Sequence, residues 1–250
     1  MIKGLVSIIM SSYNSSSFLD DSIMSVINQS YVDWELLITD DCSQDYSVEL
    51  IQKYTEIDHR IKLFSLNRNV GAAAARNNSL EKASGKYIAF LDSDDIWLNN
   101  KLECQLAFMK LNDYAFTFSA YDKISEFGEK LSKIIYVPRS VTYNQLLRNT
   151  IIGCLTVIID KEKTGDFRMP IIKSAHDTGL WLSILKRGFI AYGLNEVLAT
   201  YRVVSNSNTA NKWKAANNVW KLYRDIEKLS ILQTLFCFCY YSFNSTKKRI

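Results

Sequence analysis

Tyr87-Ile88-Ala89-Phe90-Leu91-Asp92-Ser93-Asp94-Asp95 is the stretch that decides the fold. Its uncharged first half suits a strand buried on both faces, and three carboxylates then end it abruptly. Such strands belong to helix-covered parallel sheets, whose ligands gather beyond the carboxyl ends of the strands. Carboxylates crowded at that mouth repel one another unless a cation or a donor-rich ligand lies among them. Hard oxygen ligands suit Mg²⁺ or Mn²⁺, which bind through one or two carboxylates together with substrate phosphates. A solvated turn, with Asp94 or Asp95 capping a helix at Trp97, accounts for the same residues without chemistry.

Outward from this stretch the pattern repeats. Leu5 to Met10 is apolar and rich in β-branched residues, and gives way to Ser11-Ser12-Tyr13-Asn14; Glu35 to Thr39 likewise runs into Asp40-Asp41. Between them Leu19, Ile23, Val26 and Ile27 share one helical face, with Ser16 or Ser17 as the cap. Helices from about Val48 to Tyr54 and Ala72 to Ala83 flank a strand at Ile61 to Leu66. Strand and helix alternating in this way predict an α/β fold with a doubly wound, mainly parallel sheet. After about residue 113 the pattern loosens. Strands are expected near Ala115 to Ser119 and Leu155 to Ile159, helices near Tyr143 to Arg148 and Asp177 to Lys186, and a helical tail from about Lys212 to Asn244. The predicted divisions are 1–112, 113–208 and 209–250.

The 250 residues, 48% hydrophobic and 22% charged, are enough to bury a proper core. Two prolines and no Gly/Ser-rich or charge-rich run leave no linker. Five scattered cysteines lack zinc spacing and read as reduced and cytosolic. Met1 to Met10 reads as a buried strand, without the cleavage pattern of a signal peptide. Ile231 to Phe243 falls short of the roughly 20 apolar residues of a membrane-crossing helix. The net charge of +4 is mild, but Lys247, Lys248 and Arg249 follow that aromatic run. This order favours lipid headgroups over nucleic acid as a partner.

Asp40-Asp41 makes a second acidic strand end. A carboxylate there can accept from a nucleobase imide or a ribose hydroxyl, or can simply form the turn. Arg76, one turn into the Ala-rich helix after Gly71, carries a guanidinium suited to hold a diphosphate or orient Asp92. Asp177, after His176, opens an amphipathic helix, either as its N-cap or as a general base facing a substrate hydroxyl.

From Val6 to about Ser207 these motifs together resemble the family 2 glycosyltransferases of the GT-A fold. The matching segments are Val6 to Asn14, Glu35 to Ser43, Gly71 to Asn77 (similar to Gly-x-x-x-Ala-Arg-Asn, longer by one alanine), Phe90 to Asp95 (similar to Asp-x-Asp-Asp), and His176-Asp177 with Trp181-Leu182. The resemblance implies a Rossmann-like mixed sheet flanked by helices. It implies Ser11, Tyr13 and Asp41 at the nucleotide, with Tyr13 and Asp41 on the base. It also implies Arg76 and Asp92 at the ribose or diphosphate, Asp94 and Asp95 on Mn²⁺ or Mg²⁺, and Asp177 as the base of an inverting transfer. Two positions depart from the pattern: His176 stands where the family usually has Glu, and Val204, in Tyr201 to Ser207, where a His is common. Gly153 to Thr156, the Asn195-Glu196-Val197-Leu198 turn and the aromatic tail look like the bacterial surface-polysaccharide enzymes that extend lipid-diphosphate-linked amino sugars. That likeness implies a UDP-glucose or UDP-galactose donor, a β1,3 linkage to a polyprenyl-diphosphate-linked amino sugar, and peripheral attachment at the cytoplasmic membrane face. Two other classes fit less well: a nucleotidyltransferase, which calls for a Gly-rich cationic loop after the first strand, and an inactive nucleotide-sugar-binding assembly partner, which calls for a broken site.

Overall fold

The computed structural model describes residues 1–204 and 212–247, with side chains placed for 1–204 and 216–244. Its first half alternates β1 (Ile2–Ser12), α1 (Leu19–Ile27), β2 (Trp34–Asp40), α2 (Ser47–Ile57), β3 (Ile61–Ser65), α3 (Ala72–Lys82) and β4 (Gly85–Phe90), then the short β5 (Ile96–Trp97) and α4 (Lys101–Asn112). The second half runs β6 (Phe116–Ser125), β7 (Lys130–Ile135), β8 (Ser140–Val141), α5 (Tyr143–Arg148), β9 (Val157–Asp160), α6 (Lys161–Thr164), α7 (His176–Leu185) and β10 (Ala191–Val203). The tail holds α8 (Lys212–Lys221), a π-helical turn at Leu222–Ile226 and α9 (Ile231–Lys247).

Among the described residues one ten-stranded sheet unites both halves, in the order β3-β2-β1-β4-β9-β6-β10-β5, with β7 on β6 and β8 on β10. β1 to β4 are parallel, as their apolar runs predict. β9 enters antiparallel to both its neighbours and makes the sheet mixed. Side chains alternate along each strand, so the two faces bury separate cores. Ile8, Met10, Leu36 and Ile38 meet Leu19, Ile23 and Ile51 on one face. On the other, Ile9, Leu37, Ile88 and Phe90 meet Ala73, Leu80, Leu180 and Trp181. The strand carboxyl ends are therefore held between two packed layers.

Several local expectations are corrected. No helix starts at Trp97: Ile96 and Trp97 pair with Thr200 and Ala199 of β10, and Asn100 opens α4, so neither Asp94 nor Asp95 is a cap. Ser16 and Ser17 do not cap α1, whose cap position is Phe18 without a side-chain bond. The Ser16 amide is instead held by Asp45, which ties this turn to the β2–α2 loop. Asp177 lies inside α7, after Ala175 at the cap with φ 59°. Asn195 to Leu198 is no turn; it is the irregular middle of β10, where the register with β6 shifts. That strand is not legible in the sequence, because Gly193, Asn195 and Glu196 interrupt its apolar alternation.

Candidate active site

Arg76 is the hub of the site. It sits in the second turn of α3 and is almost wholly buried, because the alanines before it let the helix approach the sheet closely. Its Nη2 donates to Asp92 Oδ1, just past β4, and its Nη1 donates to His176 Nε2 at 2.7 Å. The guanidinium remains protonated, so Nε2 must be the acceptor and His176 the neutral imidazole. One side chain thus ties α3, the end of β4 and the start of α7 into a single wall. Asp177, partly buried, lies within electrostatic range of Arg76, His176 and the buried Cys154.

The charges show what this wall is short of. Burial, and then the charge of Asp92, push the Asp94 carboxyl up to about 6. Burial, and then Asp92 and Asp94, hold the Asp95 carboxyl well above its usual range. Burial and then the neighbouring Arg76 lower the His176 imidazole, in keeping with its role as acceptor. Burial opposes the charge on Arg76, but Asp92, Cys154 and Asp177 together outweigh it and raise the guanidinium. Carboxyls that resist ionisation at a strand mouth fit a cation, whose charge reverses that balance. Among the described residues no three His, Cys, Asp or Glu side chains form a ligand group. A cation here would rest on one or two carboxylates and take its other ligands from phosphate and water, the habit of Mg²⁺ and Mn²⁺.

The two presumed metal carboxylates part company. Asp94 is partly exposed. Asp95 is 0% exposed: its Oδ1 accepts from the Arg202 amide at 2.9 Å, and its Oδ2 is buried without a partner. Asp95, expected beside Asp94 at the metal, is turned toward the β10 side of the loop, with one oxygen held there and the other unpartnered. Arg202, in the Tyr201 to Ser207 segment, is what holds this loop. Its Nε donates to the Asp94 carbonyl at 2.9 Å, its Nη2 to Asp21 Oδ2 at 2.7 Å, and its guanidinium lies over Phe18. Ser22 Oγ donates to the Asp95 carbonyl at 2.7 Å. The acidic loop is therefore locked from behind. Beyond Val204, the Tyr201 to Ser207 segment leaves the described residues.

At the nucleotide end, Asp41 is buried, and its two oxygens accept from the Val70 and Gly71 amides at 2.7 and 2.8 Å. It fastens the turn before α3, where Gly71 takes φ 91°, and each oxygen keeps a second lone pair. Asp40 accepts from the Ser43 amide at 2.9 Å, the turn-forming role considered for it. Asn14, at φ 48°, links the β1 and β2 loops: its amide donates to Ser43 Oγ at 2.9 Å and its Oδ1 accepts from the Gln44 amide at 2.7 Å. Between these loops Tyr13 is 49% exposed, and Ser11 is partly buried at the end of β1. A groove of about 550 Å³ lies along α3 and α7, lined by Ala74, Asn78, Met169, Pro170 and Ser183 among others. It includes none of the rim carboxylates.

The model of the family Glycosyl transferase family 2 matches residues 7–168, a span that holds Arg76, Asp92 and Asp94 and stops short of His176. The chain is a family 2 glycosyltransferase. A Bacillus subtilis relative named as a teichuronic acid biosynthesis glycosyltransferase is 50% identical to it over 99% of this chain and 98% of its own. An Escherichia coli UDP-Glc:alpha-D-GlcNAc-diphosphoundecaprenol beta-1,3-glucosyltransferase is 42% identical over 88% of this chain and 86% of its own. Among solved structures, S. aureus TarS 1-349 with UDP-GlcNAc superimposes with TM-score 0.74 at 19% identity, over 93% of this glycosyltransferase and 70% of that chain. A Pyrobaculum calidifontis mannosyltransferase with GDP-Man and Mn²⁺ gives 0.69 at 16% identity, over 90% and 64%. At such identities the two structures speak for the GT-A-type fold alone.

Proposed function

We propose that this glycosyltransferase moves a hexose, glucose or galactose, from its UDP donor to an amino sugar carried on polyprenyl diphosphate, forming a β1,3 bond in surface polysaccharide synthesis. The observation that supports the chemistry is Arg76 bridging Asp92, just past the end of β4, and His176, the chain neighbour of Asp177 in α7. The lipid-linked acceptor and the linkage are supported by the name of the Escherichia coli relative.

Residues 1–112 would hold the donor, with Tyr13 and Ser11 at the nucleoside and Arg76 with Asp92 at its ribose or diphosphate side. Asp41 keeps the loop before α3 in place behind them. Asp94 would hold a divalent cation, with Asp95 fixing the loop that presents it. The cation supplies charge neutralisation for the leaving diphosphate. Residues 113–208 would hold the acceptor and the base. Asp177 takes the proton of the acceptor hydroxyl; the freed oxygen bonds to the anomeric carbon from the face opposite the diphosphate. The bond from that carbon to the diphosphate oxygen breaks, UDP leaves with the electron pair, and an α-linked donor becomes a β-glycoside. The tail, 209–250, would keep the enzyme at the cytoplasmic membrane face where such acceptors lie.

The test is transfer by the purified full chain from single UDP-sugars to a synthetic GlcNAc-diphosphate lipid, with Mn²⁺ or with excess chelator. We expect UDP release from UDP-glucose or UDP-galactose that requires both acceptor and metal, and a β1,3 product. Full activity in chelator overturns the metal role, and pyrophosphate as the released product overturns sugar transfer.

A further inference from the structure

α9 has two apolar faces, and among the described residues only one of them is covered. Thr234 and Cys237 are buried, and Phe238 and Tyr241 pack on the core, with Phe238 edge-on to Trp220 at 5.4 Å. Asn244 Nδ2 donates to the Arg148 carbonyl at 3.0 Å and fixes the far end. A helix docked this way normally turns charged residues to water. Here no charged residue occurs from Ile231 to Thr246. The outward positions are Leu232, 79% exposed, Leu235, 47%, and Phe236, 50%. Their spacing of three and one residues keeps them on one stripe.

We propose that this stripe is a docking surface for an anionic lipid bilayer, with α9 lying flat among the headgroups. The 17 residues of α9 extend about 25 Å, and among the described residues no helix is long and apolar enough to cross a membrane. The helix therefore lies on the bilayer. Its chemistry suits the interface: Tyr240 and Phe236 pair with each other, and the Arg148 guanidinium lies over their rings, at 5.6 and 5.1 Å, so a cation stands beside the aromatic surface. Lys247, Lys248 and Arg249 follow in the sequence as three further cations, the last two beyond the described residues. A self-association face would have no use for cations concentrated at its edge, whereas phosphate headgroups complement them. The proposal takes its purpose from the lipid-linked acceptor proposed above, and its geometry from α9 alone.

The experiment is flotation of the full chain with vesicles of phosphatidylcholine containing one third phosphatidylglycerol, and with phosphatidylcholine alone. The wild type should float with the anionic vesicles at low salt and dissociate as salt rises. Leu232→Glu/Phe236→Glu should lower bound protein about tenfold or more. Leu232 is 79% exposed and takes no part in the Phe236 contacts with Tyr240 and Arg148, so Leu232→Glu alone serves as the second variant if the double variant melts lower. Transfer to a short, water-soluble GlcNAc-diphosphate acceptor should match wild type in both. Equal flotation of folded variants overturns the proposal. So does a wild type that stays with the bulk solution, or one whose light scattering shows a dimer that the double variant dissolves. Loss of transfer to every acceptor with flotation intact would strike the proposed function instead.

Discussion

Asp177 and His176 are neighbours with separate tasks, and substitutions should tell them apart. Asp177→Asn keeps size and hydrogen-bonding capacity but accepts no proton, so turnover should fall by about 10²-fold or more. UDP affinity by calorimetry should hardly change, because Arg76 keeps both of its partners. His176 works through Arg76. Its Nε2 can accept from the guanidinium only while the ring is neutral, and burial followed by Arg76 lowers its pKa from 6.5. The contact is therefore intact near pH 7 and is lost as pH falls through that lowered value. The groups facing it are Arg76, Asp177, Asp92 and the backbone of Ile172. His176→Gln offers an amide oxygen that does not titrate, and should keep activity while moving the acid limb of the pH–rate profile. His176→Leu should lose activity at every pH. Identical profiles for wild type and Gln variant would remove His176 from the account.

Two elements carry stability that bears on the site. β10 reaches the acidic loop through Arg202, whose side chain bonds the Asp94 carbonyl and Asp21 while its amide serves Asp95. Arg202→Leu should cost about 1.5–3 kcal/mol, the range for hydrogen bonds to charged groups, and should weaken Mn²⁺ activation more than acceptor use. Urea unfolding and metal titration measure the two effects. In α4, Lys101 is fully buried without a carboxylate partner. It donates to Gln105 Oε1 at 2.6 Å and lies 4.8 Å from the centre of the Trp97 ring. Burial lowers it from 10.5 to about 7. Between those values the unfolded chain holds the extra proton, so stability should rise with pH from about 7 towards 10. Lys101→Met should flatten that rise, a comparison that urea midpoints at pH 7 and pH 9 decide.

At the scale of the whole molecule, the tail is part of the fold. Cys237, Phe238 and Tyr241 close the core on the α5 and α7 side, and Tyr223 Oη reaches the Leu147 carbonyl at 2.5 Å. A chain ending near Ser230 should lose several kcal/mol, since burying each large apolar side chain contributes about 1.5–3 kcal/mol. Thermal unfolding should show a lower midpoint, and point variants are the cleaner probe of the outward stripe. The sequence by itself determined the βα order of the first half, the carboxylates at the mouth of β4, and Arg76 in its helix. Those signals are local: periodicity, and residue types in a short run. It could not assign Asp41 or Asp95, because a carboxylate's role depends on which donors reach it. Those donors, the Val70 and Gly71 amides and the Arg202 amide, come from 29, 30 and 107 residues away. Nor could it divide the apolar surface of α9, since a helix that is apolar all round carries no mark of which face the core takes. Tertiary packing decided both, because burial and pairing are properties of the assembled layers, and the sequence pattern records only the spacing along one chain.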